Sequence, residues 1–213
     1  MTPMEIILKE QLISIIRIEN SSTIEQIVSS LYNGGIRVVE ITMNTPGALD
    51  AIRKINELFP DMLVGAGTVL NAEAAEESIQ AGAKFLLAPA LSQSTIQAGS
   101  REGVPVIPGV MTPTEALTAY EYGSEMVKVF PARTLGTEYA KDLAGPLPFI
   151  KLMAVGGITL NNAQNYLESS WHSLGIGSEL VNSKLVAEEN FEEIENKARK
   201  FIEIREKINF LSS

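Results

Sequence analysis

Short apolar runs recur along the chain, separated by longer stretches in which apolar residues return every third or fourth position. The first pattern is that of a buried strand, the second that of a helix with one apolar face. A short helix is predicted over residues 4–10, then a strand over 12–17. Capping hydroxyls at Ser21, Ser22 and Thr23 open a helix to about residue 32, and Gly34-Gly35 stops it. Strand 38–42 follows, then a helix entered through Thr45-Pro46 and ended by Phe59-Pro60. Strand 63–67 leads to a helix capped by Asn71 and closed by Gly82. The alternation continues with strands over 85–88, 104–107, 125–130, 151–155 and 173–177. Helices are predicted over 92–102, 113–122, 137–143 and 161–168, with a last amphipathic helix between 188 and 210. About eight strand–helix units in 213 residues point to a single-domain (β/α)8 TIM barrel spanning 1–213. A doubly wound open sheet is the alternative. Its dinucleotide fingerprint is incomplete, because Gly65-Ala66-Gly67 and Gly175-Ile176-Gly177 both lack the third glycine.

Strand alternation then selects side chains. On the sixth strand Met126, Lys128 and Phe130 share a face, and a lysine between valines is costly unless it snorkels to solvent or acts as a neutral amine. If the barrel-facing sets include Ile13, Ile15 and Arg17, then Val38, Glu40 and Thr42, then Val64, Ala66 and Thr68, then Arg17, Glu40, Thr68 and Lys128 meet in one mouth. Such a set suits a carboxylate substrate and proton transfer. The bland alternatives are a buried Arg17–Glu40 salt bridge and a helix-capping role for Thr68. Gly156-Gly157 and Gly177-Ser178 follow the seventh and eighth strands, where barrels commonly hold phosphate on backbone amides. Ordinary turn chemistry is the competing account. Lys151 starts its strand and belongs to the other end. Met111, Met126 and Met153 read as core filler, and Trp171-His172 as part of the stability face.

Composition narrows the chemistry. There is no cysteine, which excludes disulfides, thiolate metal sites and cysteine nucleophiles. A lone His172 leaves little for a histidine-based metal site or triad. The net charge of −9 argues against nucleic acid or an anionic membrane as partner. No apolar run reaches transmembrane length, and Met1-Thr2-Pro3-Met4-Glu5 lacks the features of a signal peptide, so a cytoplasmic protein is expected.

Several motifs, in order and without large gaps over about residues 6–205, carry a resemblance. They are Gly34-Gly35-Ile36-Arg37-Val38-Val39-Glu40-Ile41-Thr42, Val64-Gly65-Ala66-Gly67-Thr68-Val69-Leu70, Ala81-Gly82-Ala83-Lys84-Phe85 and Ile107-Pro108-Gly109-Val110-Met111-Thr112-Pro113-Thr114-Glu115. Val127-Lys128-Val129-Phe130-Pro131-Ala132, Leu143-Ala144-Gly145-Pro146 and Gly156-Gly157-Ile158 complete the set. Together they resemble the 2-keto-3-deoxy-6-phosphogluconate / 4-hydroxy-2-oxoglutarate aldolases, a family of small class I aldolases on a (β/α)8 barrel. The resemblance implies Lys128 as Schiff-base lysine and Glu40 as proton shuttle, with no cofactor and no metal. It further implies substrate contacts from Thr68, Pro89, Phe130, Gly156, Gly157, Gly177 and Ser178, and a homotrimer. The substrate would be a phosphorylated 2-keto-3-deoxy sugar acid, with pyruvate as a product and 4-hydroxy-2-oxoglutarate as a further possible substrate.

Two positions depart from the best-known family pattern. Asn44 stands where an arginine often meets the substrate carboxylate, and Arg17 is the expected substitute. Ala154-Val155 stands where the pattern has Pro-Thr. Asn44 and Val155 together resemble the branch acting on the C4 epimer, 2-keto-3-deoxy-6-phosphogalactonate. The rival readings are a catalytically silent phospho-sugar-binding barrel, which has no need of a buried lysine, and a metal-dependent barrel aldolase, which needs clustered ligands.

Overall fold

The computed structural model describes residues 1–211. Nine strands pair in parallel in one sheet: β1 (Leu12–Ile16), β2 (Val38–Thr42), β3 (Leu63–Gly67), β4 (Leu86–Leu87), β5 (Val106–Ile107), β6 (Gly109–Val110), β7 (Met126–Val129), β8 (Lys151–Val155) and β9 (Ser173–Ile176). Their order is β5-β4-β3-β2-β1-β9-β8-β7-β6. β5 pairs with β4 and β6 with β7, and only Pro108 lies between them. Proline has no N–H to give a ladder, so it breaks the fifth strand into two halves that lean on opposite neighbours. The strand expected over 104–107 is therefore corrected to the shorter β5, with β6 as a second piece beyond Pro108. Because the same segment serves both edges, the sheet closes into a (β/α)8 barrel, and the open doubly wound alternative is excluded.

The helices are α1 (Pro3–Glu10), α2 (Ile24–Asn33), α3 (Ala48–Leu58), α4 (Ala72–Gln80), α5 (Gln93–Arg101), α6 (Pro113–Glu121), α7 (Ala132–Leu135), α8 (Tyr139–Ala144), α9 (Ala163–Leu167), α10 (Ser183–Ala187) and α11 (Phe191–Leu211). One expected cap is present, and a second cap adds to it. The Asn71 side chain accepts from the Ala74 amide at 2.8 Å, and Thr112 forms a reciprocal capping box with Glu115. Others differ. Ser21–Thr23 forms a 3-10 turn capped by Asn20, and α2 has no side-chain cap. α3 begins only after Gly47, since the Thr45 hydroxyl is taken by the Ile18 amide at 3.3 Å. The helix expected over 137–143 is α8, and α7 is an additional short helix before it, ended by Gly136 at φ +79°. α10 lies where no helix was expected.

Alternation divides the strands between two apolar layers. Inside the barrel sit Ile13, Ile15, Val38, Leu63, Phe85, Leu87, Ile107, Met126, Met153 and Val155, with Met4 and Ile7 of α1 stoppering the N-terminal end. The larger layer lies between barrel and helices and contains Val64 and Ala66. The expected phase of β3 is thus inverted: Leu63, Gly65 and Gly67 face inward. The cause is space. A Cβ at Gly65 would come within 2.5 Å of the Phe85 ring, and one at Gly67 within 2.6 Å of the Glu40 carboxylate. Only glycine leaves room for both.

The N-terminal end is structural, as expected. Trp171 Nε1 donates to the Thr137 carbonyl at 2.9 Å, and Lys151 pairs with Glu125 at 3.3 Å. His172 Nδ1 accepts the Leu152 amide at 3.1 Å, and burial, helped by the Lys151 charge, pushes its pKa down. Met126 and Met153 are core residues as read, whereas Met111 is 37% exposed on the loop after β6 and is not filler.

Candidate active site

β2 and β7 carry Glu40 and Lys128 on their inward faces. β2 is buried throughout, and Glu40 lies opposite Ile15 of β1 and Gly65 of β3. Lys128 pairs in register with Gly109 and Met153. Both charged groups are almost fully removed from solvent, at 1% exposure for Glu40 and 6% for Lys128. Among the described residues neither enters an ion pair, and Glu40 Oε2 has no hydrogen-bond partner. An unbonded carboxylate oxygen in that setting is costly, which favours its protonated form or a donor from outside the chain.

The two groups shape each other's proton affinity. Burial lowers the Lys128 pKa; the Glu40 charge opposes that and the Arg17 charge adds to it. Burial raises the Glu40 pKa, against the pull of Lys128 and Arg17. A lysine moved toward its neutral form is a nucleophile, and a carboxyl moved upward can both take and return a proton.

Arg17 lies exposed just past β1, where its Nη2 donates to Thr68 Oγ1 at 3.3 Å. This replaces both bland alternatives: Arg17 does not pair with Glu40, and Thr68 caps no helix, that task belonging to Asn71. Thr68 reaches the mouth by a route different from the expected one. It lies beyond β3 and adopts φ +58°, which turns its side chain back from the outward phase of Val64 and Ala66. Thr42 is turned to the Ile16 carbonyl and the Thr45 hydroxyl and stays out of the site.

The remaining expected residues also gather at the C-terminal ends of the strands. The Phe130 ring lies 5.3 Å from Lys128 Nζ and is 42% exposed at the rim. A Cβ on Gly156 would meet this ring at 3.2 Å, and Gly156 and Gly157 have φ +95° and +85°. Both are positions where glycine is favoured and where amides can turn toward one point. Beyond β9, the Leu180 and Val181 amides bond the Gly177 carbonyl at 2.9 and 3.0 Å, leaving Ser178 exposed on the first turn. Pro89 follows β4, its carbonyl pressed against Gly109. Val155 is buried on the inner face, against Gly175. Asn44 is exposed beside a separate cleft of about 460 Å³. A larger cleft of about 650 Å³ opens at the other end, between Thr2, Glu5, Glu125 and Lys151, and contains none of the inward charged groups. Among the described residues no group of three or more His, Asp or Glu side chains is placed to hold a metal ion.

A family model described as KDPG and KHG aldolase matches residues 4–197. This chain belongs to that family. The KHG/KDPG aldolase of Escherichia coli K12 is 36% identical over 176 residues, covering 82% of each chain. Among solved structures, a KDPG aldolase from Legionella pneumophila, holding pyruvate as a covalent carbinolamine, superposes with TM-score 0.87 at 29% identity, covering 93% of this chain and 97% of that one. A structure described as native KDPGal gives TM-score 0.86 at 30% identity, covering 92% and 94%. The family's fold and the barrel described above agree. One residue that sequence reasoning left aside stands out: Arg133, whose stem covers Gly157. Its signal was present in the chain, as a cation three residues beyond Phe130.

Proposed function

We propose that this chain is a class I aldolase that splits a six-carbon 2-keto-3-deoxy-6-phospho sugar acid into pyruvate and glyceraldehyde 3-phosphate. The observation that carries this reading is Lys128, buried and driven toward neutrality, in one mouth with a Glu40 that has an unbonded oxygen. Neutral Lys128 attacks the C2 ketone, and the carbinolamine loses water to give an iminium. The C3–C4 bond then breaks, its electron pair flowing into the iminium to form an enamine, while Glu40 takes the C4 hydroxyl proton. Glyceraldehyde 3-phosphate leaves, Glu40 returns the proton to C3, and water releases pyruvate. Arg17 and Thr68 hold the C1 carboxylate, and their mutual hydrogen bond supports that role. Phe130 and Pro89 border the pyruvate portion. Gly156, Gly157, Gly177 and Ser178 supply amides for the phosphate. The iminium is the electron sink, so turnover is expected to survive a chelator.

The same domain, residues 1–213, is proposed to act as a homotrimer. An exposed apolar cluster of Leu117, Tyr120 and Phe149, with the two rings 4.6 Å apart, supports association between copies. Sedimentation at three times 23.1 kDa is the expected result, and a monomer would remove this part of the reading.

The C4 epimer is read by Val155. A wall that offers a hydroxyl hydrogen-bonds one epimer and leaves a buried group unpaired with the other. A valine makes no such demand, so the galactonate epimer is expected to be cleaved at least as well as the gluconate epimer in an assay that detects pyruvate. Val155→Thr should shift the ratio toward gluconate by about 1–3 kcal/mol, the range for one buried hydrogen bond. A strictly gluconate-specific wild type, with an unchanged ratio in the variant, would remove Val155 from this role.

A further inference from the structure

Six of the seven arginines have side-chain partners. Arg17 bonds Thr68, Arg37 bonds the Tyr32 and Ile36 carbonyls, and Arg53, Arg101, Arg199 and Arg205 pair with carboxylates. Arg133 alone, among the described residues, has none for its guanidinium. In a chain of net charge −9, with acidic residues outnumbering basic ones 26 to 17, that is not for want of carboxylates.

Arg133 is nevertheless held in place. Its backbone amide donates to the Gly156 carbonyl at 3.1 Å, which ties the first turn of α7 to the glycine turn after β8. Its stem lies on Gly157: a Cβ built there would meet Arg133 Cβ at 2.7 Å, Cδ at 2.9 Å and Cγ at 3.2 Å. The chain is thus docked along its aliphatic part on one of the two proposed phosphate-binding turns, while its charged end is unpaired. A guanidinium has a planar fork matched to phosphate oxygens and adds a full positive charge that backbone amides lack.

We infer that Arg133 is a phosphate-binding residue, adding a charged donor to the glycine turns and setting the preference for a phosphorylated over an unphosphorylated sugar acid. This rests on the aldolase reading above and deepens it. It assigns to one side chain the discrimination that glycine amides leave weak, since backbone donors serve any anion.

The test uses the full chain as wild type, Arg133→Ala and Arg133→Lys. Pyruvate release is measured from the preferred 6-phosphorylated acid and from 2-keto-3-deoxygluconate, which lacks the phosphate. Arg133→Ala should raise KM for the phosphorylated acid by about ten- to a hundredfold, the range for a hydrogen bond to a charged group, with kcat nearly unchanged. Arg133→Lys should fall between. Use of the unphosphorylated acid, and borohydride trapping of pyruvate on Lys128, should not change. Inhibition by inorganic phosphate should weaken in Arg133→Ala. Equal losses on both acids, or lost trapping, would make Arg133 a structural prop of the glycine turn and overturn the inference. An unchanged KM for the phosphorylated acid would overturn it directly. A wild type that uses both acids equally removes the phosphorylated substrate itself, which is a failure of the parent reading seen before any variant is made.

Discussion

Borohydride added with pyruvate fixes a pyruvate-sized adduct on Lys128, and Lys128→Met abolishes both the adduct and turnover. This is the largest effect expected, because every step after binding passes through the nitrogen that the variant lacks. The structure explains why this lysine is the one that reacts. Lys151 is paired with Glu125 at the other end of the barrel, and Lys84 is exposed before β4, so neither lies in the mouth with Glu40. Lys128 is driven toward the neutral amine by burial. The sign of its pH dependence follows. Its folded pKa lies below the usual lysine value of 10.5, so trapping should extend below that pH and slow as pH falls through the lowered value. Peptide mass spectrometry locates the adduct, and an adduct on Lys84 or Lys151 would sink the mechanism.

Glu40→Gln should reduce turnover about a hundredfold or more while leaving iminium formation in place. The variant keeps the shape that Gly67 accommodates, where any larger residue would run into the carboxylate. It removes the proton acceptor and donor. It also removes the charge that holds the Lys128 pKa up, so the lysine becomes more neutral and no poorer a nucleophile. The two measurements therefore separate. Steady-state pyruvate release falls, and borohydride trapping of pyruvate persists. Near-normal turnover in Glu40→Gln would reduce Glu40 to a filler of the barrel interior, and a loss of trapping would show that its charge is needed to build the site.

Much of the site was legible before folding because the relevant signals are local. A lysine amid Met126, Val127, Val129 and Phe130 must be buried if the run is a strand, and period-two alternation then places Phe130 beside it. Glycine pairs at 156–157 and a Gly-Ser at 177–178 fall where βα turns end, and their positive φ values at 156 and 157 are what glycine permits. Capping at Asn71 and Thr112 is equally local, since each side chain bonds an amide three residues on.

What only the tertiary structure decided is how distant segments share space. The phase of β3 could not be read from Val64, Ala66 and Thr68, because β3 is buried on both faces and carries no polar alternation. It was settled by Phe85 and Glu40, which come from other strands and leave inward room for Gly65 and Gly67 alone. Thr68 then reaches Arg17 through one left-handed residue, a backbone choice made by the loop's surroundings. Arg133 is the same lesson at the surface: its sequence neighbours say nothing of Gly157, which reaches it only when β7 and β8 lie side by side. The chain by itself determined the βα rhythm, the buried lysine and the glycine turns, since each depends on residues within one turn or strand. Barrel closure at Pro108, the facing of β3 and the companions of each charged group depended on long-range packing, in which excluded volume between segments far apart in sequence leaves one arrangement open.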